Sequence, residues 1–168
     1  TTNGRWRLDL TGRRSFRSEE ECKALADKII ELSNTTSNND ICGEEETTII
    51  ITELIMNQVG IGSNGAEILA ACLREDDDGD KNDNNKSSKS SLIELHLQRN
   101  GIGIEGGKSI FQALSKNTTL QKIDLSLNDL KGATTTTNRR SNNNNIDNAP
   151  LQVIGDALSS NNCLGELV

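Results

Sequence analysis

The sequence contains little of the aromatic and large apolar material from which compact protein cores are built. Of its 168 residues, 33% are hydrophobic and 2% are aromatic, and tyrosine is absent. A domain folded around one central core carries more apolar volume than this. The composition therefore indicates a thin core that repeats along the chain, interrupted by segments that do not fold.

Long apolar runs and basic stripes are also missing. No apolar run approaches the roughly 18 residues of a membrane span, and no secretory hydrophobic segment opens the chain. Acidic residues outnumber basic residues by 25 to 18, and the net charge is −7. Such a chain is a poor ligand for nucleic-acid phosphates or anionic lipids. We therefore expect no nucleic-acid partner, no membrane partner and a cytoplasmic or nuclear location.

The residues that usually build catalytic or metal sites are few and far apart. The four cysteines are widely separated, so none forms a C-x-x-C metal motif; they are Cys22, Cys42, Cys72 and Cys163. His96 is the only histidine, and no serine or cysteine motif marks a nucleophile that it could serve. We expect reduced structural cysteines, no catalytic site, no cofactor and no metal, and hence no enzyme.

Two short motifs imitate ligand-binding loops. Residues 101–106 read G-x-G-x-x-G, as in dinucleotide-binding folds, but residues 60–65 repeat the motif, whereas such folds have a single turn of this kind. The acidic run 78–84 spaces its oxygen atoms as calcium loops do, yet it has Asp83 where glycine is needed and Lys89 where the bidentate glutamate belongs. We therefore expect the glycines of the repeated motif to serve the turn and helix packing. We expect the acidic run to be a solvated loop with at most weak cation binding.

What the sequence does contain is an internal repeat. The segment that begins at Leu92 aligns with an earlier segment that begins at Ile51 and with a later segment that begins at Leu120. A weaker copy begins near Leu8. In each copy the apolar residues change from alternating to helical spacing, which predicts a strand, a turn and a helix. The predicted helices lie near 18–32, 64–74, 105–116 and 148–160.

The repeated pattern resembles a known family. L-x-x-L-x-L-x-x-N-x-I followed by G-x-x-x-L/I-x-x-A-L and N-x-x-L is similar to the ribonuclease-inhibitor subtype of leucine-rich repeat. The resemblance implies an α/β solenoid, a right-handed horseshoe with a concave parallel sheet and helices on the convex side. Strands lie about 4.8 Å apart and packed helices about 8–10 Å, so such a stack bends towards its sheet.

We expect one solenoid fragment over residues 1–168, with about four units. The units are 6–32, 51–74, 92–117 and 120–161, and the low-complexity insertions are 33–48, 75–90 and 132–148. The insertions are rich in Asn, Thr, Ser and Asp, and cannot bury enough apolar surface to offset the entropy lost on ordering. Neither end carries the polar cap that solenoids need, which predicts a fragment of marginal stability.

Asparagine marks the end of the strand in two of the units. Where the chain leaves a parallel sheet, backbone groups lose their ladder partners, and an asparagine side chain offers both donors and an acceptor. Asn100 and Asn128 occupy this position and are predicted to be structural. Val59 and Arg13 stand there in the first two units, where we expect an incomplete ladder.

The concave face is the expected binding surface. The residues that alternate with the buried strand residues should project from it: Asp9, Thr11, Glu53, Ile55, Asn57, Glu94, His96, Gln98, Lys122, Asp124 and Ser126. They form a mixed, mildly acidic surface with one apolar member, which suits a protein partner of some basic character. The predicted function is a protein-interaction module, either a scaffold or a ligand-sensing region.

The resemblance also implies an alternative function. The ribonuclease-inhibitor subtype includes the GTPase-activating protein for the small GTPase Ran and the sensor regions of nucleotide-binding leucine-rich-repeat proteins. A GTPase regulator needs an arginine on a rim loop, and Arg99 is the only arginine beside a well-formed strand end.

Overall fold

The computed structural model describes residues 4–34, 49–74, 90–130 and 149–168, and along these residues strands alternate with helices. The strands are β1 (Gly4–Asp9), β2 (Ile49–Ile55), β3 (Glu94–His96), β4 (Lys122–Asp124) and β5 (Glu166–Leu167). The helices are α1 (Glu19–Asn34), α2 (Gly62–Leu73), α3 (Ile104–Leu114) and α4 (Ala149–Ser160), and a 3-10 turn, Arg14–Arg17, precedes α1.

The five strands form one parallel sheet in which the strand order follows the sequence, β1-β2-β3-β4-β5. Leu54 of β2 pairs with Leu95 of β3, and Leu95 pairs with Ile123 of β4. The same three residues fall on one another when the repeated segments are aligned, so the sheet register follows the sequence repeat. The predicted α/β class with a parallel sheet is confirmed.

The four helices lie close to the predicted positions and pack in sequence order, α1 on α2, α2 on α3 and α3 on α4. Helix α1 begins after Ser18, whose Oγ accepts a hydrogen bond from the backbone N–H of Glu21 at 3.3 Å, as an N-cap does. Pro150 lies in the first turn of α4, where its missing N–H costs no helical hydrogen bond. Helix α1 continues to Asn34, slightly beyond its predicted end.

The core lies between the sheet and the helices as one continuous cluster that extends from α1 to α4. Leu54, Leu95 and Ile123 each expose 1% or less and belong to the same cluster as helix residues such as Ile110 and Leu114. Burying one such side chain contributes about 1.5–3 kcal/mol. The sheet therefore has one face committed to the core, and the alternate side chains of each strand point to the other face.

The chain leaves four strands with the same backbone conformation. Gly12, Gln58, Arg99 and Leu127 follow β1 to β4 at equivalent positions, and all have a positive φ, between 53° and 71°. Glycine adopts this conformation without strain, whereas the other three residues hold it at a cost. The four turns are therefore structurally equivalent, including the one in the weakest copy of the repeat.

The two glycine-rich motifs have structural roles. Gly60 and Gly101 have φ values of +82° and +67°, in the region that favours glycine. At Gly106, an added Cβ would lie 2.9 Å from the Cα of Ser63, so this glycine lets α3 approach α2 closely. The first glycines serve the turn, and the third serves helix packing.

The predicted insertions lie almost entirely outside the described residues. This holds for 35–48 and 75–89, including Cys42 and the calcium-like run 78–84, and for 131–148. The predicted boundaries need correction at two points: residues 33 and 34 belong to α1, and Ser90 is buried with 2% exposure. Ser33 bonds across to the next unit, since its Oγ lies 2.9 Å from that of Ser91. Within the described ranges, no helix has the length and apolarity to span a membrane.

Candidate binding surface on the sheet

The side of the sheet that faces away from the helices carries three rows of mostly polar side chains, and we call it the open face. The first row across the strands is Arg7, Glu53, Glu94, Lys122 and Glu166, and the second is Asp9, Ile55, His96 and Asp124. A third row, Asn57, Gln98 and Ser126, follows the strand ends. Ten of the eleven residues predicted for this surface belong to the three rows, and the eleventh, Thr11, follows the end of β1.

Charges in the first row are paired at its two ends. Arg7 Nε lies 3.4 Å from Glu53 Oε1, and Lys122 Nζ lies 3.1 Å from Glu166 Oε2. The hydrogen bond from Lys122 to Glu166, followed by the charge of Glu166, raises the pKa of Lys122 above its ordinary value. In the middle of the row, Glu53 and Glu94 stand directly opposite each other on neighbouring strands, an arrangement in which like charges repel.

His96 lies beside these two glutamates and is largely covered. Its Nε2 is 3.4 Å from Glu94 Oε2 and 3.8 Å from Glu53 Oε1, and its side chain is 16% exposed. One ligand atom from each of the three side chains can be chosen so that all lie within 4.8 Å of one another. His96 therefore projects from the open face, as the alternation predicts, but it is not freely exposed, because the adjacent strands hold it among carboxylates.

Ile55 and Asp124 also need correction, because they project from the open face but are buried. Ile55 is 5% exposed and lies between its cross-strand partners, Asp9 of β1 and His96 of β3. Asp124 is 6% exposed and accepts a hydrogen bond from the Gln98 side-chain amide. Neither residue is free to contact a partner without rearrangement.

The carboxyl group of Asp124 is held ionised by its neighbours. Burial raises its pKa, but hydrogen bonds from the backbone N–H and hydroxyl of Ser126 and from Gln98, together with His96, outweigh burial and lower the pKa below its ordinary value. Gln98 is itself fixed, since its backbone N–H donates to Asn57 Oδ1 at 2.8 Å. The open face thus carries one connected hydrogen-bond network, which is formed by Asn57, Gln98, Asp124 and Ser126.

Asn100 and Asn128 lie at the strand ends and bond to the preceding unit. The Oδ1 of Asn100 accepts from the N–H groups of Val59 and Gly60 at 3.0 and 2.9 Å, and its Nδ2 donates to Met56 O at 2.7 Å. The Oδ1 of Asn128 accepts from the N–H of Asn100 at 2.8 Å, and its Nδ2 donates to Leu97 O at 2.8 Å. Asn100 is 2% exposed, which gives it a structural position.

The remaining residues singled out from the sequence lie apart from the three rows. Arg99 is exposed at the rim where β3 ends, and a role in GTPase regulation stays a prediction. Burial, and then the charge of Asp27, raises the pKa of the Cys72 thiol to about 12, and burial also raises the pKa of Cys22. Both thiols are protonated near neutral pH and are poor nucleophiles.

Sequence reasoning missed the grouping of Glu53, Glu94 and His96. No cysteine or second histidine lies near His96 in the sequence, and these are the usual signs of a metal site. The available signal was the spacing Glu94-x-His96, which places both side chains on one strand face, together with Glu53 at the position that the repeat aligns with Glu94. Combining the repeat register with residue chemistry would have found the group.

Comparisons with known proteins identify a fold likeness. No protein-family model matches the sequence, and no curated protein matches it. Among solved structures, the chain is similar to Leiomodin-1 Actin-Binding Site 2 (ABS2), with a TM-score of 0.61 and 14% sequence identity. The match covers 96% of this chain and 68% of that chain. At this identity the likeness shows that the two chains share a fold.

Proposed function

We propose that this chain is a leucine-rich-repeat solenoid of the ribonuclease-inhibitor type, and that its open face binds a protein partner. The proposal is supported by the strict alternation of strand and helix, by the strand order that follows the sequence, and by strand pairings that match the register of the sequence repeat. In such a stack the closer spacing of strands curves the sheet inward. The open face is then the concave surface.

The observation that carries the binding proposal is the composition of the three rows. They contain five carboxylates against two cationic side chains, on a parallel sheet whose other face is fixed by the core. A partner presenting lysine and arginine side chains matches this surface, because complementary charge steers association and excludes wrong partners. Glu53, Glu94 and Gln98 are partly exposed and available for contact.

Charge reversal on two different faces of the molecule tests this proposal. Glu53→Lys/Glu94→Lys changes the open face, whereas Glu67→Lys/Glu105→Lys makes the same change in charge on exposed positions of α2 and α3. Proteins captured from cell extract by the wild-type chain should be lost with the open-face variant and kept with the helix variant. Thermal unfolding of both variants checks that each is folded. Loss with the helix variant alone would contradict the proposal.

Actin is the first defined protein to test as a partner. The structural neighbour is described as an actin-binding site, although 14% identity carries the fold and not the ligand. Sedimentation velocity with labelled monomeric actin, wild-type chain and the open-face variant gives a direct answer. Binding abolished by Glu53→Lys/Glu94→Lys would identify actin as a partner of the open face. If actin does not bind, it is excluded as a partner, and the capture experiment still tests whether the open face binds another protein.

A further inference from the structure

A hydrogen bond explains only part of the geometry of the group formed by Glu53, Glu94 and His96. His96 Nε2 forms a long hydrogen bond with Glu94 Oε2 and also faces Glu53. A neutral imidazole can donate from Nε2 to one carboxylate, yet this nitrogen faces two, at 3.4 and 3.8 Å. Good hydrogen bonds from nitrogen to oxygen are about 2.7–3.2 Å long. Both contacts are longer, and the two carboxylates also repel each other across the strands.

The same distances suit a shared cation. Zinc lies about 2.0–2.2 Å from imidazole nitrogen and carboxylate oxygen, so two ligands of a tetrahedral ion are about 3.4 Å apart. The distance from His96 Nε2 to Glu94 Oε2 is close to this value, and that to Glu53 Oε1 is 3.8 Å. All three ligand atoms lie within 4.8 Å of one another, so side-chain rotation can close them on one ion. The side chains are 16% to 41% exposed, so an ion can enter from solvent.

We propose that Glu53, Glu94 and His96 bind one divalent transition-metal ion, with zinc as the preferred ion. Zinc accepts imidazole nitrogen together with carboxylate oxygen, whereas calcium and magnesium prefer sets made of oxygen alone. Three protein ligands leave a fourth position on the open face for water or for a side chain from another molecule. The metal site shares Glu53 and Glu94 with the proposed protein-binding surface, but its test measures zinc alone and needs no protein partner.

Arg7 is the natural competitor for this ion. Its Nε lies 3.4 Å from Glu53 Oε1, but its side chain is 61% exposed and can turn into solvent when a metal binds. The positive charge nearby still weakens the attraction for a cation. Arg7→Gln should therefore increase the affinity for zinc, while removal of any ligand should decrease it.

Zinc titration of the untagged 168-residue chain tests the proposal, with a chromophoric chelator as competitor and the imidazole ring followed by NMR. Because His96 is the only histidine, its ring protons give a single set of signals. We expect one zinc ion per chain, a shift of these signals, and an affinity that an excess of calcium leaves unchanged. His96→Gln and Glu53→Gln should weaken binding by roughly tenfold to a hundredfold or more, whereas Glu67→Gln, on exposed α2, should not.

Cobalt substitution separates this site from the thiols. Cysteine ligation gives cobalt an intense ultraviolet charge-transfer band, which a site of two glutamates and one histidine lacks. A spectrum without that band, and tighter binding by Arg7→Gln, are the expected results. Unchanged ring signals at saturating zinc, equal affinity in wild type and His96→Gln, or a thiolate band that Cys163→Ser or Cys42→Ser abolishes together with binding, would each overturn the proposal.

Discussion

The end of β1 and the ends of β2 and β3 satisfy their backbone groups in different ways. After β1 the turn uses a local carboxylate and backbone carbonyls. The N–H of Thr11 donates to Asp9 Oδ1 at 2.9 Å, that of Arg13 to Leu10 O at 3.0 Å, and that of Gly12 to Asn57 O of the next unit at 2.9 Å. After β2 and β3, an asparagine of the following unit reaches back to provide partners. Backbone bonds join the units at all of these turns, and after β2 and β3 the asparagine side chains add further bonds between neighbouring units.

The largest loss of stability is expected when the buried asparagine that joins the units at the end of β2, Asn100, is removed. Asn100→Ala leaves the N–H groups of Val59 and Gly60 and the carbonyl of Met56 without their partner. Each buried group left unpaired costs about 1–3 kcal/mol, so the free energy of unfolding should fall by about 4 kcal/mol. Urea unfolding followed by circular dichroism measures this.

Two further variants control this experiment. Asn100→Asp keeps the acceptor, but it places a carboxylate against the carbonyl of Met56 in a buried site, so this variant should also be less stable than the wild type. Asn128→Ala removes the equivalent asparagine of the next unit. A smaller loss of stability in Asn100→Ala than in Asn128→Ala would contradict the expected order.

An asparagine placed at Val59, where the second unit lacks one, tests whether the turn after β1 needs the same side-chain bonds as the turns after β2 and β3. Val59 is fully buried, and the N–H groups of Thr11, Gly12 and Arg13 after β1 already have partners. Val59→Asn should lower the free energy of unfolding by about 3 kcal/mol, because it removes apolar burial and buries an amide without partners. Val59→Ala serves as the control for lost volume, and urea unfolding again measures the effect. A stability gain in Val59→Asn would mean that the first turn has unmet backbone groups.

Asn128 should matter less than Asn100, because its side chain is only partly buried. It bonds the N–H groups of Asn100 and Ile102 and the carbonyls of Leu97 and Leu125. Water can replace part of this set at a partly exposed site, so Asn128→Ala should cost about 2 kcal/mol. Hydrogen exchange should show faster exchange at Asn100 and Ile102 and little change at Thr11.

The smallest effect belongs to Asp9, whose carboxylate is exposed. Hydrogen bonds from the side chain and backbone of Thr11 lower the pKa of Asp9 below its ordinary value of 3.8. The ionised form therefore stabilises the fold above pH 3.8, and this contribution is lost as the pH falls through the lowered pKa. Asp9→Asn should remove the contribution near neutral pH and leave other units unaffected. Acid unfolding of wild type and variant should differ only slightly, and a difference as large as that of Asn128→Ala would be inconsistent with a local turn.

The sequence predicted the features that depend on periodic burial. Leu54, Leu95 and Ile123 occupy equivalent positions of the repeat, and their strands pair in that register because one face of each must enter the same core. The helix positions were predicted from the same periodicity. The errors of about two residues lie at the helix ends, where capping and fraying determine the last helical residue.

Exposure on the open face could not be read from alternation alone. Ile55 and Asp124 occupy outward positions, yet neighbouring strands cover them, since cross-strand side chains lie about 4.5–5.5 Å apart. The approach of His96 to Glu53 likewise depends on strand register and side-chain conformation. Residue alternation within a strand predicts the face to which a side chain points, whereas the side chains of neighbouring strands determine its burial and chemistry.

Tandem duplication of the segment 92–119 tests the repeat architecture most directly. This segment is one unit, since it begins just before β3 and ends just before β4, and Leu95 pairs with the equivalent Ile123. In a stack where each unit contacts only its neighbours, an added unit contributes one more interface. We predict one cooperative urea transition with a higher midpoint than wild type. A lower midpoint, or loss of cooperative unfolding, would show that the strands and helices form a closed domain that cannot accept another unit.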